Sequence, residues 1–229
     1  MCKTVTHVQT GCVTLDTLLE GGLRRGEVTL VYGEATTGKT NLALQASAQT
    51  ARTGGKVIYV DVDQSFIHQR FHQIAPDVEK ESHNIIIFIP EFFIDQTRIF
   101  ESLEKYLIGT TRLVIVDAIT TLYRAIPATT GERFALNREL NRQLAYLTSL
   151  ASTHNIAVFI TSQVHARLAT PFAGIEPVAR RTLFHWSQTI VRLESTAKKG
   201  VKRAVIERCH SENRPNMICY LTLTERGFE

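Results

Sequence analysis

Residues 33–40 read Gly-Glu-Ala-Thr-Thr-Gly-Lys-Thr. This fits G-x-x-x-x-G-K-[ST], a spacing whose parts together capture a nucleotide triphosphate. Glycines let the backbone curl until successive N–H groups point inward at phosphate oxygens. A helix opening directly behind the loop adds the positive end of its dipole. Lys39 would neutralise the β- and γ-phosphates, and the Thr40 hydroxyl would ligate Mg²⁺. The expected nucleotide contacts are Gly33, Glu34, Ala35, Thr36, Thr37, Gly38, Lys39, Thr40 and the adjacent Asn41, with ATP and Mg²⁺ as cofactors. Average residue usage produces this pattern by chance in only about 1% of chains this long, which disfavours a plain glycine turn.

Such a loop needs an acidic partner at the end of a buried strand. Arg112-Leu113-Val114-Ile115-Val116-Asp117 supplies one, placing Asp117 to hold the Mg²⁺ shell alongside Thr40. Hydrolysis needs a further carboxylate to orient or deprotonate the attacking water. Asp61 and Asp63, in Tyr-Val-Asp-Val-Asp-Gln-Ser-Phe, both meet that description, and spacing alone does not choose between them.

The elements that must position these groups can be read from periodicity. Apolar runs alternate with helix-period segments, the mark of an α/β fold with a mostly parallel sheet and crossover helices. Strands are expected at 28–32, 56–61, 84–89, 112–117 and 156–161, and helices at 39–52, 66–75, 95–108 and 132–153. Leu136, Leu140, Leu144, Leu147 and Leu150 form one stripe at three- and four-residue steps. Thr129 with Glu132 fits a capping box before it. Gly54-Gly55 suits the exit of the helix behind the glycine loop. After residue 186 short strands at 188–194, 203–208 and 217–223 read as antiparallel strands finishing one edge.

At 229 residues the chain is sized for a single domain over 1–229. Its 44% apolar and 21% charged residues are ordinary for a globular protein. No apolar run approaches the roughly 18–20 residues of a membrane span and no signal-peptide pattern opens the chain, so a cytoplasmic protein without a membrane partner is expected. The four cysteines, Cys2, Cys12, Cys209 and Cys219, form no C-x-x-C pair and read as reduced apolar fillers. His68 and His72 lie one helical turn apart and read as a helix face rather than a metal site.

The formal charge of +4 is unevenly spread. Residues 161–229 carry 11 Lys/Arg against 6 Asp/Glu, while residues 1–160 carry the remaining 15 against 16. A basic final third on a neutral body suits a polyanion. Residues 164–183 show no clear period and contribute Arg167, Arg180 and Arg181, with His165, Phe172 and the nearby Trp186. Arginines neutralise phosphates and aromatic faces stack on exposed bases, so sequence-independent DNA binding is expected there. Lys198, Lys199, Lys202 and Arg203 fall at an expected hairpin tip.

Taken in order, TGCVTLDTLLEGGLRRGEVTLVYGEATTGKTNLALQ, VIYVDVDQSF, LVIVDAITTLYRA and AVFITSQVHARL resemble the ATPase core of the RecA/RadA recombinase family. HNIAVFITSQVH, AVIERCHSENRP and LTERGFE are similar in particular to the RadB group, short archaeal paralogues of RadA. The resemblance spans nearly all of residues 8–229 and implies a RecA-like P-loop core. It places Asp63 where the recombinases carry a catalytic Glu. It places Arg70 where an arginine stacks on adenine, and Gln163 where a glutamine senses the γ-phosphate and passes its state to a DNA-binding loop. That loop would be 164–183, with a first DNA loop near 124–131 beginning at Arg124.

Three departures shape the function that the resemblance implies. Asp63 sits about 1.5 Å nearer the backbone than a Glu carboxylate would, and a misplacement of about 1 Å can cost on the order of 100-fold. The chain opens almost at the ATPase core, so the N-terminal helix-hairpin-helix DNA domain of RadA is expected to be absent. No Phe-x-x-Ala segment occurs, so that family's filament contact is missing. The expectation is an accessory protein of recombination and repair with weak ATPase activity, nucleoid-associated, binding single-stranded or branched DNA. Its implied partners are RadA recombinase and a Holliday-junction resolvase, and self-association is compatible with the sequence. The alternatives are a DNA-stimulated ATPase driving pairing directly, a non-enzymatic mediator, and a KaiC-like signalling ATPase.

Overall fold

Val, Ile and Leu crowd the central apolar runs because those strands are covered on both faces, which removes the alternation expected of a half-exposed strand. In the computed structural model, which describes residues 7–64, 66, 68–78, 82–166, 175–210 and 217–229, the chain opens with β1 (His7–Val8), α1 (Val13–Leu18) and β2 (Leu23–Arg24). It continues through β3 (Val28–Gly33), α2 (Lys39–Arg52), β4 (Lys56–Asp61), α3 (His68–Ile74), β5 (Ile85–Phe88), α4 (Phe93–Ser102) and β6 (Thr111–Asp117). Next come α5 (Thr121–Ala125), α6 (Thr130–His154), β7 (Ala157–Ala166), β8 (Ile175–Pro177) and α7 (Arg180–Trp186). The last elements are β9 (Thr189–Ser195), β10 (Val201–Arg208), β11 (Met217–Thr224) and β12 (Gly227–Phe228).

The main sheet has the order β12-β11-β10-β9-β3-β7-β6-β4-β5, with β8 paired to β7. From β9 to β5 every neighbour is parallel. Beyond β9 the pairs are antiparallel. Alternate residues feed two cores. Val31, Val57, Tyr59, Leu113, Ile115 and Phe159 pack with α2 on one face. Leu30, Tyr32, Ile58, Val60, Val114 and Val116 pack with α4 and α6 on the other. Among the described residues no helix is long and apolar enough to cross a membrane.

α6 shows how the stripe becomes packing. Leu140, Leu144, Leu147 and Leu150 are buried, while Leu136 is half-buried at its edge. Truncating any of the four to Ala would cost roughly 2–5 kcal/mol, the range for buried leucines. Thr129 and Glu132 form the capping box expected, and Asn155 ends the helix in the left-handed region.

The structure corrects several sequence expectations. The helix expected over 95–108 is α4 followed by a tighter 3-10 turn at Leu103–Tyr106. β9 pairs antiparallel with β10, as expected, and on its other side lies parallel to β3, so it joins the antiparallel edge to the parallel sheet. Residues 164–183 are not a continuous loop. β7 extends to Ala166, β8 returns antiparallel, and α7 opens at Arg180. Residues 167–174 lie outside the described residues, so Arg167 and Phe172 do too.

Candidate nucleotide site and the arginine surface beside it

β3 delivers the glycine loop at the C-terminal edge of the parallel strands, where open α/β sheets bind ligands. Gly38 caps α2 with φ 99°, and a Cβ there would fall 2.4 Å from Phe228 Cζ. A Cβ on Gly33 would fall 2.2 Å from the Leu193 carbonyl oxygen. No side chain larger than hydrogen fits either position without moving a neighbour. Behind the loop, buried Gln45 of α2 donates to Gly11 O (2.8 Å) and Phe228 O (2.9 Å) and accepts from Phe228 N (2.8 Å). The chain's final strand is thereby pinned beneath the loop, a link of 183 positions.

Lys39 reaches along the loop, its Nζ donating to the carbonyls of Gly33 (2.9 Å) and Glu34 (2.7 Å). Thr37 Oγ1 donates to Glu34 O at 2.9 Å. Burial holds the Lys39 ammonium below its ordinary pKa, while Asp117 and Asp63 act in the opposite direction. An anion added here meets a desolvated ammonium, against which charge pairing is strong.

Asp117 ends β6 almost fully buried, beside Asp61 of β4 in register. Tyr59 Oη donates to its Oδ2 at 2.9 Å, and the Thr161 hydroxyl donates to Oδ1. The Thr40 hydroxyl also bonds this carboxylate. Burial raises the Asp117 pKa above its ordinary value, and the bonds from Thr161, Thr40 and Tyr59 oppose that rise. Tyr59 and Thr161 were not singled out in the sequence. Both lie on expected strands: Tyr59 two residues before Asp61, the acidic end of β4, and Thr161 one residue past Ile160, which faces Val116 in the β6–β7 register.

The two remaining carboxylates separate by environment. Asp61 is buried and accepts from Phe66 N at 2.9 Å, fastening the turn after β4. Asp63 is half-buried; its Oδ1 accepts from Thr121 Oγ1 and its Oδ2 from Gln163 Nε2 at 3.3 Å. Gln163 stands opposite Gly33 in the β3–β7 register. The structure thus brings Asp63, Gln163 and the loop together and leaves Asp61 inside the fold.

Arg70 is a clamp. Its Nε donates to Asn41 Oδ1 at 2.6 Å, and its terminal nitrogens donate to the carbonyls of Glu225 (2.8 Å) and Thr224 (3.2 Å). It therefore joins the first turn of α2 to the β11–β12 turn. Asn41 points at this arginine.

Of the arginines read as DNA contacts, Arg124, Arg180 and Arg181 fall within the described residues. Arg124, exposed on α5, lines a cavity of about 270 Å³ with Thr120, Thr121, Ala125 and Gln163. Arg180 holds its guanidinium 4.3 Å above the Phe184 ring, with Nε 3.8 Å from Glu176. Arg181 is exposed. Phe184 in turn lies 5.9 Å from the Tyr32 ring, directly before Gly33. Of the expected hairpin-tip cations, Lys198 and Lys199 lie in the turn before β10, whereas Lys202 and Arg203 lie on the strand and Arg203 is bonded to Glu194.

The residues present suit a magnesium nucleotide. Mg²⁺ prefers oxygen donors and shares them with substrate phosphates, and the Thr40 hydroxyl and Asp117 carboxylate meet behind a loop whose glycines admit no side chain.

Comparison with known proteins agrees. The family model described as Rad51 matches residues 1–229. A protein described as DNA repair and recombination protein RadB, from Thermococcus kodakarensis, is 38% identical over 226 residues, covering 97% of this chain and 98% of its own. A protein of the same description from Methanococcoides burtonii is 35% identical, covering 94% of each chain. A solved structure, titled as the crystal structure of the RadB recombinase, superposes with TM-score 0.83 at 38% identity, covering 97% of this chain and 98% of that one.

Proposed function

The chain belongs to the Rad51 family, and on that premise we propose that it is an ATP- and DNA-binding accessory protein of homologous recombination and repair. Its nucleotide acts chiefly as a conformational ligand, and its hydrolysis is weak. Lys39 and the amides of the glycine loop hold the phosphates. Thr40 and Asp117 would hold Mg²⁺, which would supply screening of the phosphate charge.

One observation carries the reading: Gln163 and Thr121 both donate to Asp63 and both line the cavity of Arg124. A ligand that draws Gln163 toward a γ-phosphate releases one acceptor of Asp63 and reshapes the wall beside Arg124. Nucleotide occupancy and the arginine surface thereby share one side chain. With Gln163 withdrawn, Asp63 orients the attacking water with a carboxylate still held by Thr121, one methylene short of a glutamate's reach. The resemblance to RadB proteins supports RadA recombinase, or a Holliday-junction resolvase, as the protein that reads the DNA-bound state.

The test is ATP turnover with and without single-stranded DNA, for the native chain and for Asp63→Glu. Low native turnover that rises on Asp63→Glu supports the reading. Strong DNA stimulation of the native chain would favour an ATPase that drives pairing directly. No change on Asp63→Glu would remove the role given to that residue.

A further inference from the structure

Phe134, in the second turn of α6, is 71% exposed. The turn that carries it is bonded to its neighbours at several points. The Thr129–Glu132 capping box closes the helix start. Arg133 donates to the carbonyls of Tyr123 (3.5 Å) and Ile126 (3.3 Å) and lies 5.4 Å over the Tyr123 ring. Tyr123 Oη donates to Asn137 at 2.6 Å. The helix start is therefore fixed to α5, and the ring stands outward from a rigid base.

Its surroundings are cationic. Arg138, exposed, stands one helical turn along the same face. Arg124, exposed, adjoins Tyr123 at the other side of the turn. The nearby acids are occupied: Glu132 accepts from Thr129 N (2.8 Å) and Oγ1 (2.7 Å), and Glu139 is bonded to Thr97 and Arg142. The stripe then meets α7. Asn141, two turns beyond Phe134, accepts from Trp186 Nε1 (3.1 Å) and donates to Thr182 (3.4 Å), next to exposed Arg181.

We propose that Phe134 is a base-stacking platform, flanked by Arg124 and Arg138, that makes the DNA surface selective for single strands. Arginines alone hold duplex and single-stranded backbones alike, whereas a rigid ring gains only where a base face is open. The inference rests on the DNA-binding reading above and names the form of DNA that it takes. α6 thereby extends the surface from α5 to α7 without an intervening loop.

The experiment uses the full chain with ATP–Mg²⁺. It compares a single-stranded oligonucleotide carrying 2-aminopurine with its duplex, by anisotropy and by quenching of the probe. Phe134→Ala should weaken single-strand binding roughly tenfold, abolish the quench and leave duplex affinity and the salt slope unchanged. Phe134→Trp should restore both signals. Arg138→Ala should instead lower the salt slope by about one for both DNAs. If Phe134→Ala leaves single-strand affinity and quench intact while the native chain binds DNA, the platform is overturned and the functional reading stands. If the native chain binds no DNA, both fall. If Phe134→Ala changes only self-association or protein binding, the ring serves a protein partner and the proposal is overturned.

Discussion

The glycine loop and the arginine surface meet at Gln163, which stands opposite Gly33 in register and lines the cavity of Arg124, and they are built in opposite ways. In the nucleotide pocket nearly every polar group is assigned: Lys39 to two carbonyls, Asp117 to three hydroxyls, Gln45 to three backbone groups. On the arginine side Arg124 and Arg181 point to solvent, and Arg180 is steadied only by a ring and a distant carboxylate. The first region is preorganised, so a ligand gains affinity without ordering it. On the proposed reading the second is a field of charge whose contacts form with the polyanion itself, which would make it sensitive to salt and tolerant of sequence. Placing both on one side chain joins a sharp sensor to a diffuse effector.

The largest effect expected falls on the sensor. Lys39→Ala should weaken ATP binding by about 3 kcal/mol, roughly a hundredfold, since two charge-assisted contacts to phosphate are lost; calorimetry reads it. Gly38→Ala should break the same region through the backbone. A Cβ would meet the Phe228 ring at a residue with positive φ, so urea unfolding should show about 1–3 kcal/mol of lost stability, with ATP affinity reduced. Gln163→Ala addresses the joint: ATP affinity and nucleotide-free DNA affinity should persist, while the change in DNA affinity on adding ATP, about 1–2 kcal/mol for coupling of this kind, should vanish.

Smaller effects distinguish the arginines. Arg181→Ala should lower the salt slope of DNA binding by about one. Arg180→Ala should lower it less, since its charge is shared with Glu176 and the Phe184 ring. A control outside the nucleotide pocket is Glu139, whose pKa is held below its ordinary value chiefly by Arg142. A carboxyl depressed by folding contributes stability above its unfolded pKa and loses it as pH falls through the folded value. Glu139→Gln should remove that acid-side slope, worth roughly 0.5 kcal/mol for a partly exposed pair, and leave ATP binding untouched.

The same contrast explains what was legible in the sequence. Gly33–Thr40, Asp117 and the α6 leucines could be read because backbone geometry and burial tie residue type to position. The central strands followed for the same reason, within a residue or two at most ends. β8 and α7 were missed because three and seven residues are too short to show a period. The parallel pairing of β9 with β3 was not legible because its alternation is the same whether a neighbour runs parallel or antiparallel. The Gln45–Phe228 clamp joins distant positions that nothing local marks. Phe134 passed unnoticed because an aromatic beside leucines on a helix is ordinarily core; only its exposure separates it.

The central claim is that filling the glycine loop changes how the arginine surface holds DNA. Its most direct test is anisotropy of a labelled single-stranded oligonucleotide, titrated with the full chain at fixed salt, with ATP–Mg²⁺ and without nucleotide. The account requires several-fold tighter binding in the nucleotide-filled state. Equal affinity in the two states, in a protein shown by calorimetry to have taken up ATP, would contradict it.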